Sequence, residues 1–552
     1  MSYKKTFFWI ISFVLAVFAL IGAYVVNYSD LQESKESMAA GTVYYVSSTG
    51  NDSNDGKSES APWKTLAKIN GSGFLAGDKI LLKKGDSWIG NLAISSSGSS
   101  GNPILVGSYG NGNAPIISNP GTALKESTGC SASVPNTGKM GVSIRGDYVT
   151  VENLHISNVG ESCVHIYAES ENAIIRNNEL DNCGIGVKVY GHNSRAHNNN
   201  IHDLTLVNAG YGAVGVWFFG SDNQFDHNIV ARAFIDECTP YGTEGGGAEI
   251  WTSGQTASAV NNIRVEYNSF TETNGFFEAG GGAHNQTGAR EPANNILFAY
   301  NKIFNPKGLT NVSIHMTDDY RVDISNLRFE NNTIVINNVF PRASGSDRRV
   351  MWYTTDNSIV PQPNTVLLKN NIFWLGSDVD KFQDSNRNNI TTANNLFFTQ
   401  NAATDLNLKN PVTELIGDPK FANLNGFDYH ILADSPAINK GLNLGYTQDL
   451  DGKQIVGLPD IGAYESGGGG VVPTAEPTSQ PTTAPTPTSV PMVPPGHKKG
   501  DVNNDGKVNI VDIGLVIDKY DQTVPAGSNV DLNSDGRVNI IDIGIIIDNY
   551  EL

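Results

Sequence analysis

The sequence predicts a mainly β chain: a right-handed parallel β-helix, which is a solenoid of stacked coils, followed by a small α-helical domain. Three observations lead to this class. A short asparagine-containing phrase recurs through the middle of the chain, the apolar residues around it alternate with a period of two, and two near-identical acidic loops stand near the carboxyl end. Hydrophobic residues make up 39% of the 552 residues, which is enough for a large core and excludes wholesale disorder.

The amino-terminal segment has the pattern of an export signal. Lys4 and Lys5 precede an uncharged apolar run at residues 7–26. A helix of this length spans about 30 Å, the thickness of the hydrocarbon core of a bilayer. We therefore predict a cytoplasmic basic flank at residues 1–6 and a signal anchor at 7–26 that tethers the protein to the membrane, with the rest of the chain outside. A cleaved signal peptide is the alternative, which the length of the run and the lack of a nearby small-x-small site disfavour.

The middle of the chain is one repeating unit. Phrases such as RNNEL, EYNSF and KNNIF each centre on one asparagine, and successive asparagines are 21 residues (Asn178 to Asn199) to 40 residues (Asn228 to Asn268) apart. Because no such unit buries its apolar face alone, the units must stack, and their period of two indicates strands. We expect asparagine to adopt the left-handed turn conformation and to hydrogen-bond its stacked neighbours. These residues are Asn178, Asn199, Asn228, Asn268, Asn301, Asn332 and Asn371.

This segment resembles the pectate-lyase-like β-helix proteins. The opening VYYVSSTGNDSNDG with PWKTLAKIN is similar to the first coil of that group, and SPAIN with DIGAYE is similar to the last coil of its bacterial surface members. The resemblance covers about residues 41–466, which we assign to the β-helix domain. It implies the fold and leaves the reaction open.

Stacking one strand from each unit by its inward apolar pair predicts two outward columns of side chains. Side chains alternate across a strand, so the residue between two inward residues points to solvent. The first column is ionisable and reads Ser143, His165, Lys188, Gly215, Glu249, Glu278 and His315. The second is largely aromatic and reads Arg145, Tyr167, Tyr190, Trp217, Trp251, Gly280 and Thr317. This combination suits a polysaccharide, whose rings stack on aromatic faces while their hydroxyl groups need hydrogen bonds.

Glu249 and Glu278 are the predicted catalytic centre. On adjacent coils they would lie about 4.8 Å apart, so one carboxyl group would keep a proton more readily while the other stays charged. A retaining glycosidase needs about 5 to 5.5 Å between its carboxyl groups, so the spacing favours a hydrolase. In the alternative, a polysaccharide lyase, Lys188, His165 or His315 would act as the base and the two glutamates would hold a calcium ion. The predicted sugar-binding residues are Arg145, Tyr167, Tyr190, Trp217 and Trp251.

Two further interpretations of this face stay open. One is a noncatalytic glycan-binding or surface-structural site, and the other is an ordinary solvated surface, because outward residues of a β-helix are mostly polar. Trp217 and Trp251 would then pack under a loop. The glycine-rich stretches GTEGGGAE and EAGGGAHN favour a binding site, because bare backbone lets a ligand approach closely.

A linker and two acidic loops follow the repeats. Residues 467–499 are rich in glycine, proline and threonine, which predicts a stiff, extended spacer. DVNNDGKVNIVD and DLNSDGRVNIID then place oxygen-bearing side chains at loop positions 1, 3, 5, 9 and 12, and glycine at the sharp turn of position 6. This spacing surrounds one calcium ion, with position 7 offering its carbonyl. The predicted ligands are Asp501, Asn503, Asp505, Lys507, Asn509 and Asp512, then Asp531, Asn533, Asp535, Arg537, Asn539 and Asp542.

Residues 500–552 resemble the dockerin module of cellulosome-type assemblies. Aspartate at loop position 12 and a single apolar helix after each loop are typical of that module. The resemblance implies two calcium ions and a cohesin partner on a scaffold or cell surface. Loop positions 10 and 11 depart from the pattern, because Ile510, Val511, Ile540 and Ile541 stand where dockerins often carry small hydroxyl residues. These apolar pairs are either core or contact surface, and they leave the class of cohesin open.

The composition limits the partners and the redox chemistry. The formal net charge is −19, and this field repels the phosphates of nucleic acids, so no nucleic-acid partner is expected. Outside the cytoplasm four cysteines can form disulfides in any of three pairings: Cys130, Cys163, Cys183 and Cys238. Together the features predict an extracellular enzyme that cleaves a polysaccharide, tethered by its amino-terminal segment and docked to a cohesin through its carboxyl-terminal domain.

Overall fold

The computed structural model divides the chain into two units, with the boundary after Val471. In the first unit it describes residues 41–466 except 122–135, 209–210, 237–242, 253–258, 282–291, 308–309, 316–321, 338–347, 355–364, 384–389, 407 and 409–412. In the second it describes 502, 508, 516, 519, 528–530, 532 and 538. The predicted anchor at 7–26 and the linker at 467–499 lie outside these residues, as does the predicted flank at 1–6. Within the described ranges, no helix is both long and apolar enough for a membrane span.

Parallel strands stack on three faces of the first unit, as the β-helix prediction requires. Face 1 is a twelve-stranded sheet. Its strands are Val43–Val46, Lys79–Lys83, Ile104–Tyr109, Val149–Glu152, Ile174–Arg176, Arg195–His197, Gln224–Asp226, Val260–Glu266, Pro292–Ala299, Asp323–Glu330, Val366–Lys369 and Ile390–Ala393.

Two long strands, His155–Ile166 and Glu179–Val189, pass from face 2 to face 3 and contribute to both. The other strands of face 2 are Ser87–Ile89, Ile116–Asn119, Asn200–His202, Ile229–Ala231, Ser269–Thr271, Lys302–Phe304, Thr333–Ile336, Ile372–Leu375, Leu396–Thr399 and Leu415–Ile416. The other strands of face 3 are Leu92–Ile94, Val142–Ile144, Val214–Phe218, Gly246–Trp251, Phe277–Gly280, Thr310–His315, Arg349–Thr354 and Lys381–Gln383.

A few short elements lie outside the three faces. The helix Leu66–Asn70 begins at Thr65, whose hydroxyl group accepts a hydrogen bond from the backbone of Lys68. Three antiparallel pairs complete the described elements: Leu206–Asn208 with Tyr211–Gly212, Ile235–Asp236 with Thr243–Glu244, and Phe421–Asn423 with Asp428–Ile431. The second of these pairs brings a glutamate to the edge of face 3.

The core follows from the period of two. On face 3, Val164, Val187, Val216, Ala248 and Phe277 share one position in the register of successive strands, and all are buried. Each strand thus buries alternate side chains against the coils above and below. This arrangement confirms the prediction that the units stack, because the apolar face of one coil is completed only by its neighbours.

The recurring asparagines form a buried hydrogen-bonded ladder. The side-chain oxygen of Asn332 accepts from the backbone and side-chain nitrogens of Asn301, each at 2.9 Å, and the same geometry repeats from Asn178 to Asn395. Glu414 ends the ladder by accepting from the backbone of Asn395 at 2.8 Å. The prediction that asparagines bond their stacked neighbours is therefore confirmed.

The ladder asparagines do not have the left-handed backbone conformation that we predicted for them. The residue before each ladder asparagine has the positive φ, and that residue is His227, Tyr267 or Tyr300 in three successive coils, with φ of 55°, 56° and 51°. Their rings stack, with centroids 5.1 and 5.5 Å apart. Ring stacking offsets part of the backbone strain there, so a bulky residue occupies a position that asparagine or glycine would fill at lower cost.

We expect Asn301→Ala to lower the free energy of unfolding by about 3 kcal/mol, because it leaves buried groups of the ladder without a partner. Asn301 is fully buried, donates to the carbonyl of Val265 at 2.8 Å, and accepts from the backbone and side chain of Asn268. Calorimetric or circular-dichroism melting of the variant measures the loss. Asn200→Ala, at an exposed position, is the matched control and should melt like the parent.

A disulfide joins two coils inside the solenoid. Cys163 and Cys183 are bonded, with Cα atoms 5.7 Å apart, and both side chains are buried. Of the three pairings that the sequence allowed, this one leaves Cys130 with Cys238, and both of those lie outside the described residues. The bridge ties together the two long strands that pass from face 2 to face 3.

The described residues of the second unit form a small apolar cluster. Val502, Val508, Val516, Val530 and Val538 are buried together. The side chain of Asn529 donates to the carbonyl of Val502 at 2.7 Å and so links the two halves of the unit. The twelve predicted calcium ligands lie outside the described residues, and so do Ile510, Val511, Ile540 and Ile541, so those predictions remain predictions.

Candidate active site

The strands of face 3 place Glu249 and Glu278 side by side, as predicted. Glu249 pairs with Glu278 in the parallel register between Gly246–Trp251 and Phe277–Gly280. On the preceding coils, His165 pairs with Lys188, also as predicted. The outward column of face 3 therefore keeps four of its ionisable members in line.

In two strands the predicted register is wrong by two residues. Lys188 pairs with Trp217, which in turn pairs with Glu249, so Trp217 and not Gly215 lies in the ionisable column. Glu278 pairs with Ser313, and His315 pairs with Thr354 one step further along. The reason is that Val216 with Phe218, and Val312 with Ile314, are the inward pairs. His315 therefore leaves the predicted catalytic column.

The second outward column changes accordingly. Phe219 takes the place predicted for Trp217, because its backbone nitrogen donates to the carbonyl of Val189, just as that of Tyr190 donates to Ile166. Phe219 stacks on Tyr190 with centroids 4.3 Å apart. The aromatic strip therefore exists, with Tyr167, Tyr190, Phe219 and Trp251 as its members.

Glu249 is held beneath the aromatic strip. Its neighbours in the strand, Ala248 and Ile250, face the core, so its side chain points outward, yet only 6% of Glu249 is exposed. The indole nitrogen of Trp251 donates to Oε2 of Glu249 at 3.2 Å. Trp251 thus orients the carboxylate while its own ring stays partly exposed.

Glycine at position 280 makes room for the Trp251 ring. A Cβ atom at Gly280 would lie 3.0 Å from that ring, closer than ordinary van der Waals contact. The aromatic face therefore lies across the coil that carries Glu278. The group that approaches this glycine is thus a side chain of the protein itself, and the predicted approach of a ligand to EAGGGAHN remains a prediction.

Glu244 is a third carboxyl group at the site, and sequence analysis missed it. It lies in the Thr243–Glu244 strand, next to the turn at Gly245 that leads into the strand of Glu249. Burial, and then the negative charge of Glu278, raise the pKa of Glu244 to about 8. At neutral pH Glu244 therefore carries a proton next to a second carboxyl group. We call Glu244, Glu249 and Glu278 the glutamate cluster.

Lys188 and His165 form a separate buried pair further along face 3. Nζ of Lys188 donates to Oε1 of Glu161 at 3.0 Å, and both side chains are at least nine-tenths buried. Burial, and then the positive charges of Lys188 and Arg145, lower the pKa of His165 to about 3. The imidazole is therefore neutral at pH 7 and a weak base. The coil that carries Trp217 lies between this pair and Glu249.

Two of the predicted sugar-binding residues already have protein partners on their faces. Trp217 is 9% exposed and packs against Tyr211 of the Leu206–Gly212 hairpin, with centroids 5.7 Å apart. The alternative that this tryptophan packs under a loop is thus the better description. The guanidinium group of Arg145 lies 3.4 Å from the ring centroid of Tyr167 and forms an ion pair with Glu169. The ring of Tyr190 stacks on both His165 and Phe219, so Trp251 is the predicted aromatic residue that best fits a sugar platform.

The glutamate cluster has the parts that acid–base cleavage of an acetal needs. One carboxyl group is protonated at neutral pH and can donate to a leaving oxygen, while two carboxyl groups on adjacent coils can balance positive charge. A sugar ring in contact with the cluster would also meet Trp251. On face 1, Asp226 and Glu266 also lie on adjacent coils, but each forms an ion pair with an arginine, Arg195 and Arg264 respectively.

Comparison with known families agrees with the two-unit organisation. Residues 79–263 match the right handed beta helix region, and residues 499–549 match the dockerin type I domain. The chain therefore contains a right-handed β-helix region and a carboxyl-terminal dockerin type I domain.

Individual relatives match parts of the chain. A segment of 141 residues is 34% identical to lacto-N-biosidase from Bifidobacterium longum subsp. longum; it amounts to 23% of this chain and 9% of that relative. Among solved structures, pectate lyase Pel9A is 17% identical, with a TM-score of 0.48 and coverage of 77% of this chain and 96% of the other. The GH136 lacto-N-biosidase from Eubacterium ramulus is 16% identical, with a TM-score of 0.39 and coverage of 72% and 71%.

Proposed function

We propose that this chain, which joins a right-handed β-helix to a dockerin type I domain, is an extracellular glycoside hydrolase that cleaves a polysaccharide or a related glycan. The observation that carries the proposal is the glutamate cluster, in which Glu249 and Glu278 lie on adjacent coils and Glu244 holds a proton at neutral pH. Such division of carboxyl groups between a proton donor and a charged partner is what glycoside hydrolysis requires.

Each glutamate has a distinct role in this proposal. Glu244 donates its proton to the glycosidic oxygen as the bond to the leaving sugar breaks. Glu278, whose charge acts on Glu244, faces the anomeric carbon and stabilises the positive charge that develops there. A water molecule then adds to that carbon and gives its proton to the carboxylate of Glu244, which restores the acid. Glu249, oriented by the Trp251 indole, supports that charge from the adjacent coil. The ring of Trp251 binds the apolar face of a sugar.

The groups available for a lyase fit that reaction less well. A lyase needs a base that removes the proton from C5 of a uronate. Of the three predicted bases, His165 has a pKa of about 3 and Lys188 already donates to Glu161, while the side chain of His315 lies outside what the structure describes. Calcium held by Glu249 and Glu278 would in addition need oxygen ligands beyond these two side chains. Hydrolysis is therefore the version that we propose.

The local relative named lacto-N-biosidase is a glycosidase by name, and this supports a glycan substrate. The substrate class is tested with a panel of pectin, alginate, glycosaminoglycan, xylan and glycans that carry lacto-N-biose. A hydrolase produces new reducing ends without ultraviolet absorbance from unsaturated sugars. Unsaturated products would indicate a lyase, and binding without products would indicate a noncatalytic glycan-binding protein.

We further propose that the dockerin domain binds two calcium ions through its two acidic loops and attaches the enzyme to a cohesin outside the cell. The oxygen-rich donor set of each loop is the type that calcium prefers. Calcium orders such loops, so we expect chelation by EDTA to abolish binding to a cohesin panel in surface plasmon resonance. Readdition of calcium should restore it, with two ions bound per chain by calorimetry. Cohesin binding that survives chelation would contradict this assignment.

A further inference from the structure

A second cluster of ionisable side chains lies on face 2, away from the glutamate cluster. His155, Glu179 and Asp181 each offer one ligand atom, and these atoms lie within 4.8 Å of one another. Nε2 of His155 is 2.9 Å from Oδ2 of Asp181, and Nδ1 is 4.0 Å from Oε2 of Glu179. The three residues belong to the two adjacent strands that the buried disulfide joins, so a rigid frame holds them together.

A neighbouring histidine is aligned toward the same cluster by an ordered chain of contacts. Nε2 of His202, on the next coil, is 3.3 Å from Oε1 of Glu179, while its Nδ1 lies 2.8 Å from Asp203. Asp203 in turn receives two hydrogen bonds from Arg232, at 2.6 and 2.8 Å. A carboxylate that binds a metal is usually held by an outer hydrogen-bonding partner, and His202, fixed by Asp203, is in the position of such a partner for Glu179.

The distances suit a small divalent ion bound by nitrogen and oxygen. Bonds of about 2.1 Å around zinc place tetrahedral ligand atoms about 3.4 Å apart, and one ligand atom from each of the three residues lies within 4.8 Å of the other two. Calcium prefers six or more oxygen atoms, and a histidine nitrogen disfavours it. Glu179 also lines an open depression with Asn177 and Asn200, which provides access from solvent.

We propose that His155, Glu179 and Asp181 bind one divalent transition-metal ion, for which zinc is the best fit, and that His202 positions Glu179. The ion would bridge two coils of face 2. The site is independent of the proposed hydrolase, because no residue of the glutamate cluster takes part.

Calorimetric titration of the full-length protein with zinc tests the proposal. Calcium in excess is present throughout, so that the dockerin loops are occupied. We expect one zinc ion per chain with micromolar or tighter affinity, at least 100-fold weaker binding in His155→Ala, and about 10-fold weaker binding in His202→Ala. Cobalt in place of zinc should give visible absorption bands that are lost in the first variant.

Matched variants keep the result interpretable. His197→Ala removes a histidine from face 1 and should bind zinc like the parent. Asp181→Asn preserves the shape of a ligand while removing its charge, and it should weaken binding even if His155→Ala folds poorly. A parent protein that takes up no zinc would overturn the proposal, as would undiminished binding in both His155→Ala and Asp181→Asn.

Discussion

Glu278→Gln is expected to lower kcat on a cleaved glycan by at least about 1000-fold while leaving the fold intact. The amide cannot carry the negative charge that stabilises the developing positive charge at the anomeric carbon, and such electrostatic contributions are among the largest in catalysis. The strand of Glu278 is paired with a neighbouring strand on each side, and glutamine has nearly the same shape as glutamate, so the substitution should not disturb the fold. Initial-rate measurement of new reducing ends provides the comparison.

The neighbouring Glu249→Gln should show a similar loss, because that carboxylate occupies the paired position on the adjacent coil. Glu171→Gln, at an exposed position on the same solenoid, is the control and should retain full activity. Retained turnover in both Glu278→Gln and Glu249→Gln would remove the glutamate cluster from the reaction. Loss in all three variants would point to a general effect on the fold.

Glu244→Gln is expected to lower kcat by about 100- to 10,000-fold on natural glycans, the range that general acid catalysis contributes. The expected loss depends on the leaving group. An aryl glycoside with an acidic phenol departs without a proton, so its cleavage should fall far less. If Glu244 had only a structural role, the variant would cleave natural glycans and the aryl glycoside more slowly by the same factor. That result would contradict its role as the acid.

The parent enzyme should lose activity as the pH rises through about 8. The folded-state pKa of Glu244 is raised to about 8, so the proton that it donates is present below that pH and absent above it. In Glu244→Gln the alkaline limb of the kcat profile should disappear, because glutamine does not titrate in this range. An unchanged alkaline limb in the variant would assign that ionisation to another group.

The sequence predicts the fold well because the same sequence pattern recurs in successive coils of the solenoid. From Asn178 to Asn395 each coil carries an alternating strand and a ladder asparagine, so the same pattern is found in several coils. The positive φ belongs to the residue before each ladder asparagine, which is also an asparagine at Asn177, Asn198 and Asn331 but a tyrosine, with little intrinsic preference for this conformation, at Tyr267. Tyr267 stacks on both His227 and Tyr300, and these contacts between adjacent coils join residues far apart in the sequence, which local sequence does not reveal.

The register of single strands was harder to predict. In the strand Val214–Phe218, both Val214 with Val216 and Val216 with Phe218 are apolar pairs of the correct period, so alternation alone does not choose between them. The structure places the second pair inward, and this moves Trp217 into the ionisable column. The same ambiguity in Thr310–His315 moved His315 out of it.

The alternation of apolar and polar residues does not predict which ionisable side chains are buried. Glu244 stands in the stretch GTEGGGAE, but it precedes the strand and has no place in the period of two. Its raised pKa comes from burial and from Glu278, more than thirty residues away, so only the folded chain shows it. The Lys188 to Glu161 ion pair is likewise a contact between coils.

The crystal structure of Glu244→Gln with an oligosaccharide that the parent enzyme cleaves tests the central claim most directly. The account predicts a sugar ring against Trp251, the scissile oxygen within hydrogen-bonding distance of residue 244, and the anomeric carbon facing Glu249 and Glu278. An oligosaccharide bound on another face, with the glutamate cluster open to solvent, would contradict it.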